Sequence, residues 1–110
     1  MGNFVKGDVV VVPFPFSDLS AAKKRPAVVI ASLTGDDVIL CQVTSQAIGD
    51  GYAIPLVDSD FATGSLHQAS NIRPNRLFTA DGNIILYRAG RLTPPKTQEI
   101  VTRIIQIVSA

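Results

Sequence analysis

Short apolar runs separated by polar segments rich in proline and glycine fill most of this chain, a pattern typical of β-strands joined by turns. Residues 9–12 are a run of valines, which predicts a buried strand. A polar loop is predicted over residues 14–24. Residues 27–32 and 38–43 flank the turn sequence at 34–37, so we expect these two runs to pair as a β-hairpin.

The second half of the chain shows weaker strand signals. Residues 52–57 contain Pro55, which favours an edge strand or a bulge because proline cannot donate to a ladder. Residues 58–64 predict a turn or a short helical coil. Further strands are predicted near residues 67–73, 77–79 and 84–88.

A helix is predicted at the C-terminal end. Thr93 can cap it, and Pro94 and Pro95 suit its first positions because the missing N–H groups need no partner there. Apolar residues then recur at helical spacing, at Ile100, Val101, Ile104, Ile105 and Val108. The predicted fold is mainly β: a small antiparallel barrel with a C-terminal α-helix, in a single domain over residues 1–110.

Composition narrows the location of the protein. Of its 110 residues 46% are apolar, which suits one domain with a modest core. No apolar run approaches the roughly 20 residues of a membrane span, and no signal peptide opens the chain, so we expect a cytoplasmic protein without membrane association. The single Cys41 agrees, and its place in an apolar strand predicts a buried side chain and not a nucleophile.

The charge pattern favours a small anion site. A net charge of +1 argues against coating long stretches of nucleic acid. The basic residues are nevertheless grouped, as Lys23-Lys24-Arg25, Arg73 with Arg76, and Arg88 with Arg91. Local clusters in a chain of balanced charge suit a site that grips a few phosphates.

Arg25 and Thr44 are the candidate centre of such a site. Pro26 restrains Arg25 to an extended conformation at a strand entrance, where a guanidinium can present a fixed donor fork to a phosphate. The predicted hairpin brings the start of its first strand and the end of its second to the same edge, so Arg25 and Thr44 lie close together. Two alternatives stay open: the basic residues only keep a loop solvated, and Thr44 with Ser45 only satisfies turn backbone groups.

Signatures of the common enzyme classes are missing from the sequence. One histidine, His67, and one cysteine, without paired carboxylates at ligand spacing, give no support for a metal site. There is no nucleophile elbow and no glycine-rich phosphate loop. We therefore expect neither a metal nor a cofactor.

Three segments form a set of motifs that covers most of the chain. In order they are Gly7-Asp8-Val9-Val10 with Pro13-Phe14 and Arg25-Pro26-Ala27-Val28-Val29; Val43-Thr44-Ser45-Gln46; and Ser70-Asn71-Ile72-Arg73 with Arg76-Leu77-Phe78-Thr79. This set resembles that of the MazF/PemK toxins, the mRNA interferases of bacterial type II toxin–antitoxin systems. The position of the terminal helix is similar as well.

The resemblance implies an SH3-like barrel that forms a homodimer. It also implies metal-independent, sequence-specific cleavage of single-stranded RNA, and inhibition by an antitoxin whose disordered tail lies across the toxin's groove. The catalytic arginine and threonine of that family correspond to Arg25 and Thr44. In such a reaction the ribose 2′-OH attacks the adjacent phosphate, so Arg25 would stabilise the charge of the phosphorane while Thr44 and Ser45 donate hydrogen bonds.

The proton acceptor has no obvious candidate. Some family members carry an acidic residue where this chain has Ser70, and others carry a histidine in the first loop, which has none here. His67 is a possible substitute because imidazole titrates near neutral pH, although a surface histidine without a catalytic part is the alternative.

Other residues are candidates for holding the RNA. Phe14, Phe16 and Phe78 can stack on unpaired bases or pack in the core, and the loop position of Phe16 favours it among the three. The remaining candidates are polar or basic: Lys23, Lys24, Gln46, Ser70, Arg73 and Arg76. Arg73 and Arg76 can contact flanking phosphates or pair with acidic neighbours.

Two further functions stay open. One is a catalytically silent RNA- or protein-binding barrel of the same fold, which the missing acidic residue favours. The other is a gyrase poison of the CcdB type. Those proteins act through a C-terminal tail with tryptophan, and this chain has no tryptophan.

Overall fold

Valine-rich strands at the centre of one antiparallel sheet organise the molecule. The computed structural model describes residues 4–14 and 23–110. Its strands are β1 (Asp8–Phe14), β2 (Lys23–Ser32), β3 (Asp37–Thr44), β4 (Ile54–Leu56), β5 (Phe61–Gly64), β6 (Ser70–Asp81) and β7 (Tyr87–Leu92), followed by the helix α1 (Pro94–Ser109). The strand order across the sheet is β4-β6-β3-β2-β1-β7-β5. Within the described residues the sheet is therefore open, a curled half-barrel with β4 and β5 at its edges.

The central strands are buried on both faces, which explains why they read as continuous apolar runs. Val9 and Val28 belong to one core cluster, together with Ile100 of the helix. Val10 and Val29, their neighbours in sequence, belong to a second cluster on the opposite face. Side chains alternate between the faces of a strand, so an unbroken valine run supplies both cores at once.

The C-terminal helix closes one face of the sheet. The Thr93 side chain accepts a hydrogen bond from the backbone N–H of Lys96 at 3.4 Å, and prolines occupy the first two positions, as predicted. Ile100 is fully buried and Ile104 packs against the same cluster. Ile105 and Val108, which share the apolar spacing predicted for this helix, are exposed. Among the described residues, no helix is long and apolar enough to cross a bilayer.

Cys41 is buried in β3, as its apolar surroundings predict. Its Sγ lies 3.0 Å from the backbone oxygen of Arg73, to which the thiol donates. Burial raises the pKa of this thiol to about 12. The side chain therefore stays a neutral thiol and packs as a small apolar group.

The mainly β fold with a C-terminal helix is confirmed, but several predicted boundaries are wrong. Residues 23 and 24, predicted in a loop, belong to β2 and pair with β1. Residues 61–64, predicted as turn or coil, form the edge strand β5. The two strands predicted near 67–73 and 77–79 are one strand, β6, whose pairing with β3 skips residues 74–76. The strand predicted at 84–88 begins later, because residues 82–84 form a 3₁₀ turn.

Candidate active site

The paired ends of β2 and β3 bring Arg25 and Thr44 into one cleft. The pairing of β2 with β3 begins at Ala27 and Gln42, and Arg25 and Thr44 lie two residues further along the two strands, at the same edge. Both residues line a cleft of about 290 Å³. The predicted juxtaposition is confirmed.

In the part of the chain that the structure describes, five strands and the segment before β6 contribute to this cleft. Val11 of β1, Pro26 of β2 and Val43 of β3 supply apolar surface, and Leu66 and Gln68 come from the segment before β6. The polar and aromatic side chains around them are Lys24, Arg25, Thr44, Ser45, Ser70 and Tyr87. Within the described residues, the lining therefore combines two cations with hydroxyl donors and includes no acidic side chain.

Arg25 is exposed but stands on a strand paired with β1. Val12 is its partner, and the residues on either side of it, Lys24 and Pro26, pair with Pro13 and Val11. The backbone of Arg25 is therefore held by a ladder, which agrees with the strand entrance predicted from the sequence. A guanidinium on such a support offers several N–H donors in a fork that matches a phosphate.

Thr44 and Ser45 place hydroxyl groups beside this cation. Thr44 is half-buried at the end of β3, and its Oγ1 accepts a hydrogen bond from the backbone N–H of Gln46 at 3.2 Å. This is the turn-stabilising contact of the alternative interpretation. It uses Oγ1 only as an acceptor, so the hydroxyl hydrogen stays available for donation. Ser45 is exposed and also lines the cleft.

Ser70 and Gln46, both predicted to bind RNA, lie in the cleft and next to it, respectively. Ser70 is 7% exposed and its Oγ donates to the backbone oxygen of Gln68 at 3.2 Å. Gln46 is exposed next to the cleft, outside its lining, and its backbone oxygen accepts a hydrogen bond from the Asn71 side chain at 3.0 Å. Ser70 is therefore a wall of the cleft, and Gln46 is fixed just beyond it.

Basic residues of the first cluster divide between the cleft and its approach. Lys24 lines the cleft, whereas Lys23, also exposed, pairs with Phe14 further along β2 and β1. Both ammonium groups stand on the strand that carries Arg25. They extend the positive charge of Arg25 along β2.

Arg73 pairs with an acidic neighbour, one of the two roles predicted for it. Its Nη2 lies 3.1 Å from Asp50, which also accepts hydrogen bonds from Asn75 and from the backbone N–H of Tyr52. The Tyr52 N–H first, and then the Arg73 and Asn75 side chains, hold the pKa of Asp50 below its usual value. Arg73 does not line the cleft, and neither does the exposed Arg76.

The aromatic residue at the cleft is one that the sequence analysis missed. Phe14 and Phe78 contact each other with ring centroids 5.8 Å apart. This contact agrees with core packing, the second of the two roles predicted for them. Phe16 lies outside the described residues. Tyr87 lines the cleft and is 52% exposed. The sequence carries no local signal for this role, because Tyr87 sits in a predicted strand without a clear alternation.

Comparison with known families decides what kind of protein carries this cleft. Residues 5–108 match the model of the PemK-like, MazF-like toxins of type II toxin–antitoxin systems. The chain belongs to this family. The match spans both cores, the cleft and the helix.

Solved structures of MazF-like toxins share the fold. An endoribonuclease in complex with its cognate antitoxin from a mycobacterial species superposes with a TM-score of 0.73 at 15% identity, covering 96% of this chain and 94% of that one. MazF from Deinococcus radiodurans gives 0.73 at 16% identity over 96% of each chain. Mycobacterium tuberculosis toxin MazF-mt6 gives 0.72 at 15% identity, covering 93% of this chain and 96% of that one. A search of curated protein sequences finds no match.

His67 lies beside the toxin's cleft and not in it. Its neighbours Leu66 and Gln68 line the cleft, whereas His67 borders a separate surface depression with Asp58. It adopts a left-handed conformation with φ 60°, and its backbone N–H donates to Ser65 Oγ at 2.8 Å. These contacts agree with the alternative of a surface histidine.

Metal binding has no built site in the described part of the chain. No three histidine, cysteine or acidic side chains lie together there. The groups that the described residues bring to the toxin's cleft are cations, hydroxyls and an aromatic ring.

Proposed function

We propose that this chain is the endoribonuclease toxin of a type II toxin–antitoxin system, and that it cleaves single-stranded RNA in the cleft around Arg25 and Thr44. One observation supports the proposal: in a chain of the PemK/MazF family, Arg25 and Thr44 line one cleft. The endoribonucleases and MazF toxins of the same fold support it.

The reaction that this cleft supports needs no nucleophile from the protein. The ribose 2′-oxygen attacks the adjacent phosphorus, the bond from phosphorus to the 5′-oxygen breaks, and the products carry a 2′,3′-cyclic phosphate and a 5′-hydroxyl. The proton of the 2′-OH leaves, and the 5′-oxygen gains one. Charge builds up on the phosphoryl oxygens in the transition state, so fixed positive charge beside them lowers the barrier.

Arg25 takes the main electrostatic role in this scheme. Its donors face a phosphate from a strand that is already ordered, so little reorganisation is needed as the charge develops. Thr44 donates to a phosphoryl oxygen while its Oγ1 continues to accept from Gln46. Ser45 is the second donor. Lys24 and Lys23, on the same strand, attract the neighbouring phosphates of the RNA.

Metal independence follows from the same groups. Guanidinium and hydroxyl donors supply the charge stabilisation that a divalent ion supplies in other nucleases. Of the remaining predicted RNA contacts, Ser70 and Gln46 lie at the cleft or next to it. Arg76 is exposed on β6 and would contact a longer RNA strand. Arg73 contributes to the structure beside the cleft through its ion pair with Asp50.

Partners of the toxin are part of the proposal. We expect a homodimer in the cytoplasm and a cognate antitoxin that binds the toxin and blocks cleavage. A mycobacterial endoribonuclease of the same fold is in complex with its cognate antitoxin, which supports this expectation.

The experiment that tests the proposal is a cleavage assay on single-stranded RNA in EDTA. Wild-type protein is expected to cut, and a 2′-deoxy substitution at the cut site is expected to block cleavage because the nucleophile is gone. Arg25→Ala should lower the rate on the order of 100- to 1,000-fold. Arg103→Ala, which removes an arginine of α1 outside the cleft lining, is the matched control.

Two outcomes would contradict the proposal. A strict need for a divalent ion would remove the metal-independent mechanism. Tight RNA binding without cleavage under any condition would favour a silent binding barrel, for which the one supporting observation is that no acidic side chain lines the described part of the cleft.

A further inference from the structure

Tyr87 is half exposed at the cleft and belongs to neither core cluster. It pairs with Val11 of β1, whose side chain lines the same cleft. Directly opposite residues in an antiparallel pair project to the same face of the sheet. The exposed aromatic ring therefore stands beside the apolar surface of the cleft, which Arg25 also lines.

Because of a β-bulge between β1 and β7, the residue opposite Val11 is an aromatic residue and not a cation. Val9 pairs with Gly90, and an uninterrupted register would set Arg88 opposite Val11. The register shifts between Val9 and Val10, so that Arg88 pairs with Val10 and Tyr87 with Val11. A one-residue shift reverses which face each side chain occupies, and bulges commonly re-aim side chains in this way.

Buried Asp8 fastens the strand on both sides of the bulge. Its carboxylate is 0% exposed and accepts from Arg88 Nη1 at 3.2 Å and from Arg91 Nε at 2.9 Å. The backbone N–H of Val5 donates to it as well, at 2.9 Å. The two arginines flank the bulge, so their common partner fixes the distance between the two halves of β7.

Glycine at position 90 completes this arrangement. A Cβ there would lie 2.5 Å from the backbone oxygen of Thr63 and 2.9 Å from the Phe61 ring, so only glycine lets β5 approach β7 so closely. The strand β7 is therefore held by β1 on both sides of the bulge and by β5 at residues 90–92, and Asp8 ties the Tyr87 half to the other half.

We propose that Tyr87 is the residue on which an unpaired base of the RNA stacks, next to the phosphate held by Arg25, and that Asp8 with Arg88 and Arg91 positions it. The inference rests on the proposed ribonuclease function and adds a specificity-determining residue to it. Stacking on an aromatic ring is the usual way for proteins to hold the bases of single-stranded RNA. The phosphate contact to Arg25 sets the register of the strand, so the stacked base occupies one defined position relative to the cut.

The test compares Tyr87→Ala, Tyr87→Phe and Tyr52→Ala. Tyr52 is also an exposed tyrosine, 44% accessible, but it lies outside the cleft and is the matched control. KM and kcat are measured on single-stranded RNA, the dissociation constant on the same oligonucleotide with a 2′-deoxy cut site, and the cut positions by mapping RNA ends. Circular dichroism and the melting temperature verify that each variant is folded.

Loss of the ring is expected to weaken binding and relax specificity. Tyr87→Ala should raise KM and the dissociation constant on the order of 10-fold and broaden the base preference at one nucleotide position. Tyr87→Phe keeps the ring and should restore most of the lost affinity. Tyr52→Ala should resemble wild type.

Three results would overturn the inference. If Tyr87→Ala binds and cuts like wild type, the ring contacts no base, and the proposed function is unaffected. If Tyr87→Phe loses kcat at unchanged KM, the hydroxyl takes part in proton transfer, which contradicts a stacking role. If wild-type protein neither binds nor cuts the RNA, the proposed function fails, and the role of Tyr87 falls with it.

Discussion

Arg25 owes its position to its neighbours in the chain and in the sheet. Val12 on the neighbouring strand pairs with it, and Pro26 restricts its backbone. The same basic residue in a loop would lose conformational entropy each time it bound a phosphate. On β2 the backbone is already ordered in the free protein, so more of the electrostatic attraction is available to the transition state.

Thr44 is the second residue whose chemistry can be isolated. Thr44→Val keeps the shape of the side chain and removes the hydroxyl, so kcat is expected to fall on the order of 100-fold because one donor to the phosphorane is lost. Thr44→Ser keeps the hydroxyl and should recover most of the rate. Steady-state cleavage of single-stranded RNA in EDTA measures both.

A matched control for Thr44 lies on β6. Thr79→Val makes the same substitution at an exposed position outside the cleft, and its kcat should equal that of wild type. Equal kcat values for Thr44→Val and Thr79→Val would show that the Thr44 hydroxyl only stabilises its turn through Gln46.

At the scale of elements, the contact of β1 with β7 depends on one buried carboxylate. Asp8 is fully buried, whereas Arg88 and Arg91 have 45% and 48% of their side chains exposed. The charges are therefore unequally hydrated. Removing one arginine leaves Asp8 a partner, but removing both leaves a buried charge unpaired, which is the costly case.

The two arginines should therefore behave non-additively. Arg88→Ala and Arg91→Ala are each expected to lower the unfolding free energy by about 1 kcal/mol or less, since each pair is half exposed. The double variant should lose about 3 kcal/mol or more because Asp8 is left without a cation. Urea denaturation of all four proteins of the cycle measures the coupling.

Arg76→Ala serves as the control for this cycle, since it removes an exposed arginine from β6 and should change the unfolding free energy by less than about 0.5 kcal/mol. A double variant whose loss of unfolding free energy equals the sum of the two single losses would contradict the joint pairing of Asp8 with Arg88 and Arg91. It would mean that Asp8 is satisfied without the arginines.

At the scale of the whole molecule, the sequence predicts the parts of the site that depend on local pattern. Arg25 and Thr44 meet because two apolar runs flank a turn, and the hairpin register follows from that pattern. The helix and its cap at Thr93 are read from proline positions and apolar spacing. These features need no information from distant residues.

The features that were missed depend on contacts between distant parts of the chain. Tyr87 reaches the cleft through a bulge that Asp8, far away in sequence, holds in place. The strand β6 reads as two strands because Pro74 interrupts the pattern, but pairing with β3 resumes after the interruption. Lys23 and Lys24 look like loop residues because their polar side chains hide the pairing of their backbones with β1.

Balanced charge across the molecule suits a cleft that selects one phosphate and not a surface that coats RNA. With a net charge of +1, the protein relies on the grouped cations of β2 to attract its substrate. The central claim is that this cleft cleaves RNA by attack of the 2′-OH, with Arg25 stabilising the charge.

The chemistry of the new RNA ends tests that claim most directly. Purified wild-type protein is incubated with single-stranded RNA in EDTA, and the ends of the fragments are identified by mass spectrometry, with Arg25→Ala protein prepared in parallel as the control for contaminating nucleases. We predict fragments with a 2′,3′-cyclic phosphate and a 5′-hydroxyl from wild type, and at least 100-fold fewer from Arg25→Ala. Fragments with a 5′-phosphate, or equal yields from both proteins, would contradict the account.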